Sequence, residues 1–213
     1  MDKKLKDKLL GMARERITDD DPSHDFEHAL RVLANAERIA KEEKADLDVI
    51  VPAALFHDLV NPPKNSPRAK YAADDSAEIT KGLLEEIKEY PAHKIEKVYL
   101  AIKSCSFNKG ISPELLEAKI LQDADGLEAT GAISIMRTFA STGQMKRPFY
   151  SKQDVFCRKR EPDSSEYALD LFYTRLLKVG ERMHTKSAKK IAKRRTRFLN
   201  GFLKELELEL EGK

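Results

Sequence analysis

The sequence predicts an all-α fold, a compact helical bundle. Apolar residues recur at three- and four-residue spacing along nearly the whole chain, the period of an amphipathic helix. Alternation of the strand kind occurs only at Glu205–Leu210, whose helix-forming residues and place after a long helix favour a helical end. The composition agrees: 35% charged and 41% hydrophobic over 213 residues describes a charge-coated chain with enough apolar residues for a core. That length suits one domain spanning residues 1–213.

The elements follow in order. Leu5, Leu9, Leu10 and Met12 among lysines predict a short amphipathic helix over residues 1–16. Thr18-Asp19-Asp20-Asp21-Pro22-Ser23 breaks it, with Asp21 or Ser23 as cap of a second helix, Pro22 near its start and its end near Lys44. A third helix, about 47–59, is apolar almost all round, from Val49 to Phe56, and so belongs at the centre of the domain. Asn61-Pro62-Pro63 stops it, because proline cannot continue a helix and disfavours helix in its predecessor. Residues 60–69 read as a loop. Helices are expected at 71–89, 92–105 and 113–122, the last with Ser112 as cap and Pro113 at its first position. Another helix is expected at 124–141, weakened by Gly126 and Gly131. Residues 143–162 show many charges and no period, and read as a mobile loop. Helices at 164–182 and 185–210 close the chain.

Lys and Arg total 39 against 36 Asp and Glu, a net charge of +3. So even a balance argues against a general nucleic-acid coat and allows only a local basic patch. Cys105 and Cys157 give no disulfide framework and fit a reducing cytoplasm. The apolar runs are far short of the ~20 residues that span a bilayer, and the charged start MDKKLKDKLLG has no signal-peptide core.

The five histidines are placed informatively. His24 and His28 stand four apart and share one helix face. His57-Asp58 ends the most hydrophobic helix, where the dipole disfavours a carboxylate and a metal ion would resolve the conflict. Asp123 and Asp125 follow the apolar Ala118, Ile120 and Leu121, and polar groups framed by core sequence need partners. Mixed imidazole and carboxylate donors suit a divalent ion such as Mn, Co, Mg, Fe, Ni or Zn, with open positions left for water and a phosphate oxygen.

The order His … His-Asp … Asp resembles the signature of the HD superfamily of metal-dependent phosphohydrolases. The stretches SHDFEHALRVLANAERIA, AALFHDLVNPPKN, EAKILQDADGLEATGAI and YALDLFYTRLLKV resemble one bacterial and archaeal branch of that superfamily, from about residue 20 to residue 205. The resemblance implies one divalent metal ion, manganese among the candidates, held by His28, His57, Asp58 and Asp123. It places His57 and Asp58 in catalysis, with His24 and Asp25 of the SHDxxH element orienting a ligand or facing substrate. The expected reaction is hydrolysis of a nucleotide, first a (deoxy)nucleoside triphosphate to monophosphate and pyrophosphate. The alternatives are a nucleoside 5′-monophosphatase and a non-catalytic metal- or nucleotide-binding module. Lys64, Arg68 and Lys70, beside the proline-rich loop, and Arg31, one turn past His28, are the candidate phosphate contacts. The chain departs from the branch at Gly126, where relatives often carry Arg, and at Cys105, where some carry His. Other HD nucleotidases carry Glu where Asn61 stands.

Lys186 to Arg197 holds seven basic residues and no acidic one. The favoured reading is a solvated helix face with Ile191, Phe198, Leu199 and Phe202 packed inward. The acidic tail from Glu205 to Glu211 balances it, within one molecule or across a homodimer. Nucleic acid is the weaker reading, since no aromatic residues interleave with the charges. GxxxxGK[ST], GxGxxG, CxxC and HExxH are all absent from the sequence.

Overall fold

The structure is a computed structural model describing residues 1–18, 24–62, 66–105 and 112–213. The described residues form nine α-helices and no strand, as the periodicity predicts. The chain divides into two units, Met1–Asp125 and Gly126–Lys213.

In the first unit, α1 (Lys3–Arg16) begins at Asp2, whose carboxylate accepts from the Leu5 N–H at 3.1 Å. Helix α2 (Phe26–Glu43) starts later than expected, because Asp25 is its cap. The expected cap region, Asp21, Pro22 and Ser23, lies outside the described residues. The expected central helix is α3 (Leu47–Phe56), buried at every position from Val49 to Phe56, and α2 and α5 (Ala92–Lys103) pack on it. It contains Pro52, which has no N–H for the Asp48 carbonyl one turn back. The Tyr90 hydroxyl donates to that carbonyl instead, at 2.7 Å. Helix α4 (Ala72–Glu85) packs along α5 and bonds to the segment after α3, where the Ser76 hydroxyl accepts from the Val60 N–H at 3.0 Å.

Both ends of the next helix differ from expectation. Helix α6 (Leu116–Gly126) begins three residues after Pro113, with the Lys119 N–H reaching the Leu115 carbonyl at 3.0 Å, so Ser112 is not its cap. It then runs unbroken through Asp123 and Asp125. The interruption expected near residue 123 falls at 127–130, before α7 (Gly131–Gln144). Gly131 has φ +70°, and a Cβ there would lie 3.1 Å from Arg195 Cγ, so both backbone and space favour glycine.

The second unit is built on Leu169, Phe172, Leu176, Leu199 and Leu203, with the Phe172 and Phe202 rings stacked at 5.7 Å. Residues 145–169 are irregular, as expected, and several of their groups bond within the segment. Asp154 accepts from the backbone N–H groups of Arg158, Lys159 and Arg160 at 3.0, 2.7 and 3.2 Å. The helix expected over 164–182 is broken into α8 (Asp170–Thr174) and a 3-10 turn, Leu176–Arg182. The Ala168 and Leu169 N–H groups bond to the carbonyls of Pro148 and Phe149 at 3.1 and 2.8 Å, which takes the donors a longer helix would need. Helix α9 (Lys186–Leu210) is capped by Thr185 and stays helical through the alternating Glu-Leu tail. Phe198, expected to pack inward, is 53% exposed. No helix among the described residues is long and apolar enough to cross a membrane.

Candidate metal centre

Three elements of the first unit converge on one point. Helix α2 supplies His28 in its first turn, where the Asp25 carboxylate accepts from the His28 N–H at 2.7 Å and fixes the backbone. The end of α3 supplies His57 and Asp58, and the last turn of α6 supplies Asp125. His28 Nε2 lies 3.6 Å from Asp58 Oδ2 and 3.6 Å from Asp125 Oδ1. His57 Nε2 lies 3.5 and 3.9 Å from the same two oxygens. The two imidazole rings are 5.4 Å apart, centroid to centroid. His28, His57 and Asp125 each offer a donor atom within 4.8 Å of the others.

The state of His57 follows from its neighbours. Its Nδ1 is 2.9 Å from the Ala54 carbonyl, which can only accept, so Nδ1 carries the hydrogen. In the neutral ring Nε2 is then a lone pair. It is buried, makes no hydrogen bond and faces two carboxylates. Acceptors facing acceptors need a proton or a cation between them. The donor set, imidazole nitrogen and carboxylate oxygen, fits a divalent metal ion. Asp58 supplies the charge. Burial raises its pKa, but His57, then His28 and His24, pull it down more strongly, and the carboxyl stays well below the usual carboxylate range.

The HD domain family matches residues 25–130. A crystal structure of a predicted HD superfamily hydrolase from an uncultured Thermotogales bacterium is 30% identical. It covers 96% of this chain and 92% of its own, with a TM-score of 0.65. The chain belongs to the HD superfamily of hydrolases. The uncharacterized protein YpgQ of Bacillus subtilis is 29% identical over 197 residues, 92% of this chain and 89% of its own length. A crystal structure of YpgQ in complex with ADP has a TM-score of 0.73 at 26% identity, over 97% of this chain and 95% of that one.

Among the residues singled out from the sequence of this HD protein, His28, His57 and Asp58 come together. From α6 the carboxylate of Asp125 lies beside the two imidazoles. Residues two apart on a helix point about 200° apart, so only one of the two can face the imidazoles. Asp123 is fully buried, whereas Asp125 keeps part of its surface. The apolar frame could not choose between them, because α6 is buried on nearly every side.

His24 sets its ring against His28 at 5.6 Å, edge to face. Asp25 spends one carboxylate oxygen on the α2 cap. Arg31 is half-buried on α2. Arg68 and Lys70 lie on a 3-10 turn, Pro67–Tyr71; Arg68 reaches Asp75 at 3.4 Å and Lys70 lies over the Tyr71 ring at 4.8 Å. Lys64 lies outside the described residues. Asn61 is exposed. Cys105 is buried, and burial, then the charges of Asp125 and Asp58, push its thiol pKa well up, which leaves it a poor nucleophile.

Proposed function

We propose that this protein is a divalent-metal-dependent phosphohydrolase acting on nucleotides. Its metal ligands would be His28, His57, Asp58 and Asp125. The observation that carries the reading is the His57 lone pair, buried without a hydrogen bond and turned toward two carboxylates. When bound, the metal would lower the pKa of a ligated water and neutralise charge on a phosphate oxygen. Manganese and cobalt are the first metals to test.

The chain's own groups do the rest. The Ala54 carbonyl holds His57 in the tautomer that presents Nε2. The Asp25 cap fixes the first turn of α2, and with it the direction of His28. Asp58 remains ionised at neutral pH and would orient a water by accepting its hydrogen. His24, half-buried beside His28, is the group we assign to hold a proton for the departing oxygen. Arg31, Lys64, Arg68 and Lys70 are the candidate phosphate contacts. Arg68 is only loosely kept from that task, because an exposed pair such as Arg68–Asp75 is worth about 0–1 kcal/mol.

YpgQ was crystallised with ADP, which supports a nucleotide ligand here. A (deoxy)nucleoside triphosphate, cleaved to monophosphate and pyrophosphate, is the substrate we favour over a nucleoside 5′-monophosphate. The test is release of phosphate and of pyrophosphate from a nucleotide panel with Mn, Co, Mg or no metal, beside an Asp58→Ala control. Pyrophosphate release that needs metal and Asp58 supports the reading. Phosphate release from monophosphates selects the alternative. No release from a folded, metal-loaded protein overturns both.

A further inference from the structure

Helix α9 carries its charges in an order that the helix itself disfavours. Its first half is basic and its last half acidic, with no acidic residue in the first turn and no basic residue in the last. The helix dipole favours the reverse. The separation therefore asks for a cause outside the helix.

A stripe along one exposed face suggests that cause. Lys190, Arg194, Phe198, Gly201, Glu205 and Glu209 follow at steps of three and four residues, so they line one side of α9, and all six are exposed. Turning the helix end for end about the point midway between residues 199 and 200 carries Lys190 onto Glu209, Arg194 onto Glu205 and Phe198 onto Gly201. Every basic position meets an acidic one. The 53% exposed phenylalanine meets a glycine with nothing within 4 Å of where a side chain would begin. Among the described residues the four stripe charges have no ion-pair partner, whereas the neighbouring Glu207 is taken by Arg158.

We propose that this face binds a second copy of the chain, the two α9 helices running antiparallel across a two-fold axis near residues 199 and 200. One surface serving both subunits is the requirement of a two-fold interface, and this stripe is complementary to itself. Phe198 of each copy fills the notch at Gly201 of the other. Lys190 and Arg194 pair with Glu209 and Glu205 across the axis, and the same contacts repeat by symmetry. The contact is about 28 Å long, held at its ends by exposed ion pairs, so association is weak, reversible and favoured by low salt.

The test is sedimentation equilibrium of the full chain over a wide concentration range at low and high salt, with helicity followed by circular dichroism. The wild type is expected to dimerise at low salt and to dissociate as salt rises. Lys190→Glu with Arg194→Glu, or Glu205→Lys with Glu209→Lys, should weaken the dimer at least about tenfold. Both pairs of substitutions together should restore it, because complementarity returns with the signs exchanged. All three variants should keep their helicity, since the dipole favours the new charges or is indifferent to them. Phe198→Glu should weaken the dimer with no rescue by the charge exchange. A wild type that stays monomeric at every concentration and salt overturns the proposal. So does a fourfold variant that is folded but monomeric while the wild type dimerises. A monomer that instead captures duplex DNA, and loses it with Lys190→Glu and Arg194→Glu, also overturns the proposal and assigns the basic half to nucleic acid.

Discussion

Two buried polar clusters, one in each unit, show opposite chemistry. In the second unit the fully buried Asp170 is bracketed by the Arg160 guanidinium, with Nη2 at 2.7 Å, and by the Asp163 N–H at 2.6 Å. Arg160 Nη1 donates to the second oxygen, and its Nε donates to the Asp154 carbonyl at 3.1 Å. Every acceptor there meets a donor, so the knot is complete. In the first unit the His57 lone pair faces the carboxylates of Asp58 and Asp125, acceptor against acceptor. That cluster is complete only with a proton or a cation added. Satisfied buried charge holds a fold, and buried charge that needs a guest marks a site.

The sharpest way to break this contrast is one substitution in each cluster. Asp170→Ala leaves Arg160 without its carboxylate and should cost about 3–5 kcal/mol of stability. Asp58→Ala should cost at least about 10³-fold in metal-dependent turnover, about 4 kcal/mol in the barrier, with the fold intact. Urea unfolding and turnover, measured on both variants, form a crossed test. If Asp58→Ala unfolds the protein, or Asp170→Ala leaves its stability unchanged, the distinction between the clusters fails.

Within the metal centre, Asp125→Asn should lower metal affinity at least about tenfold, and Asp123→Asn should change it by less than about threefold. Isothermal titration with manganese separates them. The opposite ranking would restore the ligand set that the resemblance implies.

Acid sharpens the second cluster. Burial raises the Asp170 pKa, but Arg160, the Asp163 N–H and Cys157 together hold it below the ordinary value of 3.8. A depressed folded pKa gives stability that is present above the unfolded value and lost as pH falls through the folded one. Wild-type stability should therefore exceed that of Asp170→Asn above about pH 4 and converge on it in stronger acid. Curves that stay parallel below pH 4 would show that Arg160 is not what holds the carboxylate.

The sequence made much of the first unit legible, because helix periodicity and the spacing of His28 from His57-Asp58 are local or nearly so. The all-round apolar run at 49–56 placed α3 at the centre, and it is buried throughout. What escaped was set by contacts distant in sequence. Which of Asp123 and Asp125 stands beside the imidazoles depends on how α6 is turned against α2 and α3. The breaking of 164–182 depends on Pro148 and Phe149 taking the Ala168 and Leu169 donors. The irregular segment 145–169 gave no period because bonds such as those of Asp154 hold it, and these follow no repeat. Phe198 lies outside the packed face because the core of its unit was complete with Leu199 and Leu203.

A single backbone group, the Asp48 carbonyl, carries the smallest expected effect. Pro52 removes the N–H that the Asp48 carbonyl would have accepted from inside α3. The Tyr90 hydroxyl, 42 residues away in sequence, fills that role at 2.7 Å. Burial, then the charges of Asp48 and Asp46, push the Tyr90 pKa far above its ordinary 10.0, so the hydroxyl stays a donor at any physiological pH. Tyr90→Phe should cost about 1–2 kcal/mol, since it strands one carbonyl near the surface of the helix and removes one hydrogen bond. The double change Pro52→Ala with Tyr90→Phe should recover most of that loss, because residue 52 then supplies its own N–H to Asp48. A double-mutant cycle by urea unfolding reads the coupling directly. Additive losses would mean that the Tyr90 hydroxyl does not act through the Asp48 carbonyl, and that this carbonyl is satisfied by water.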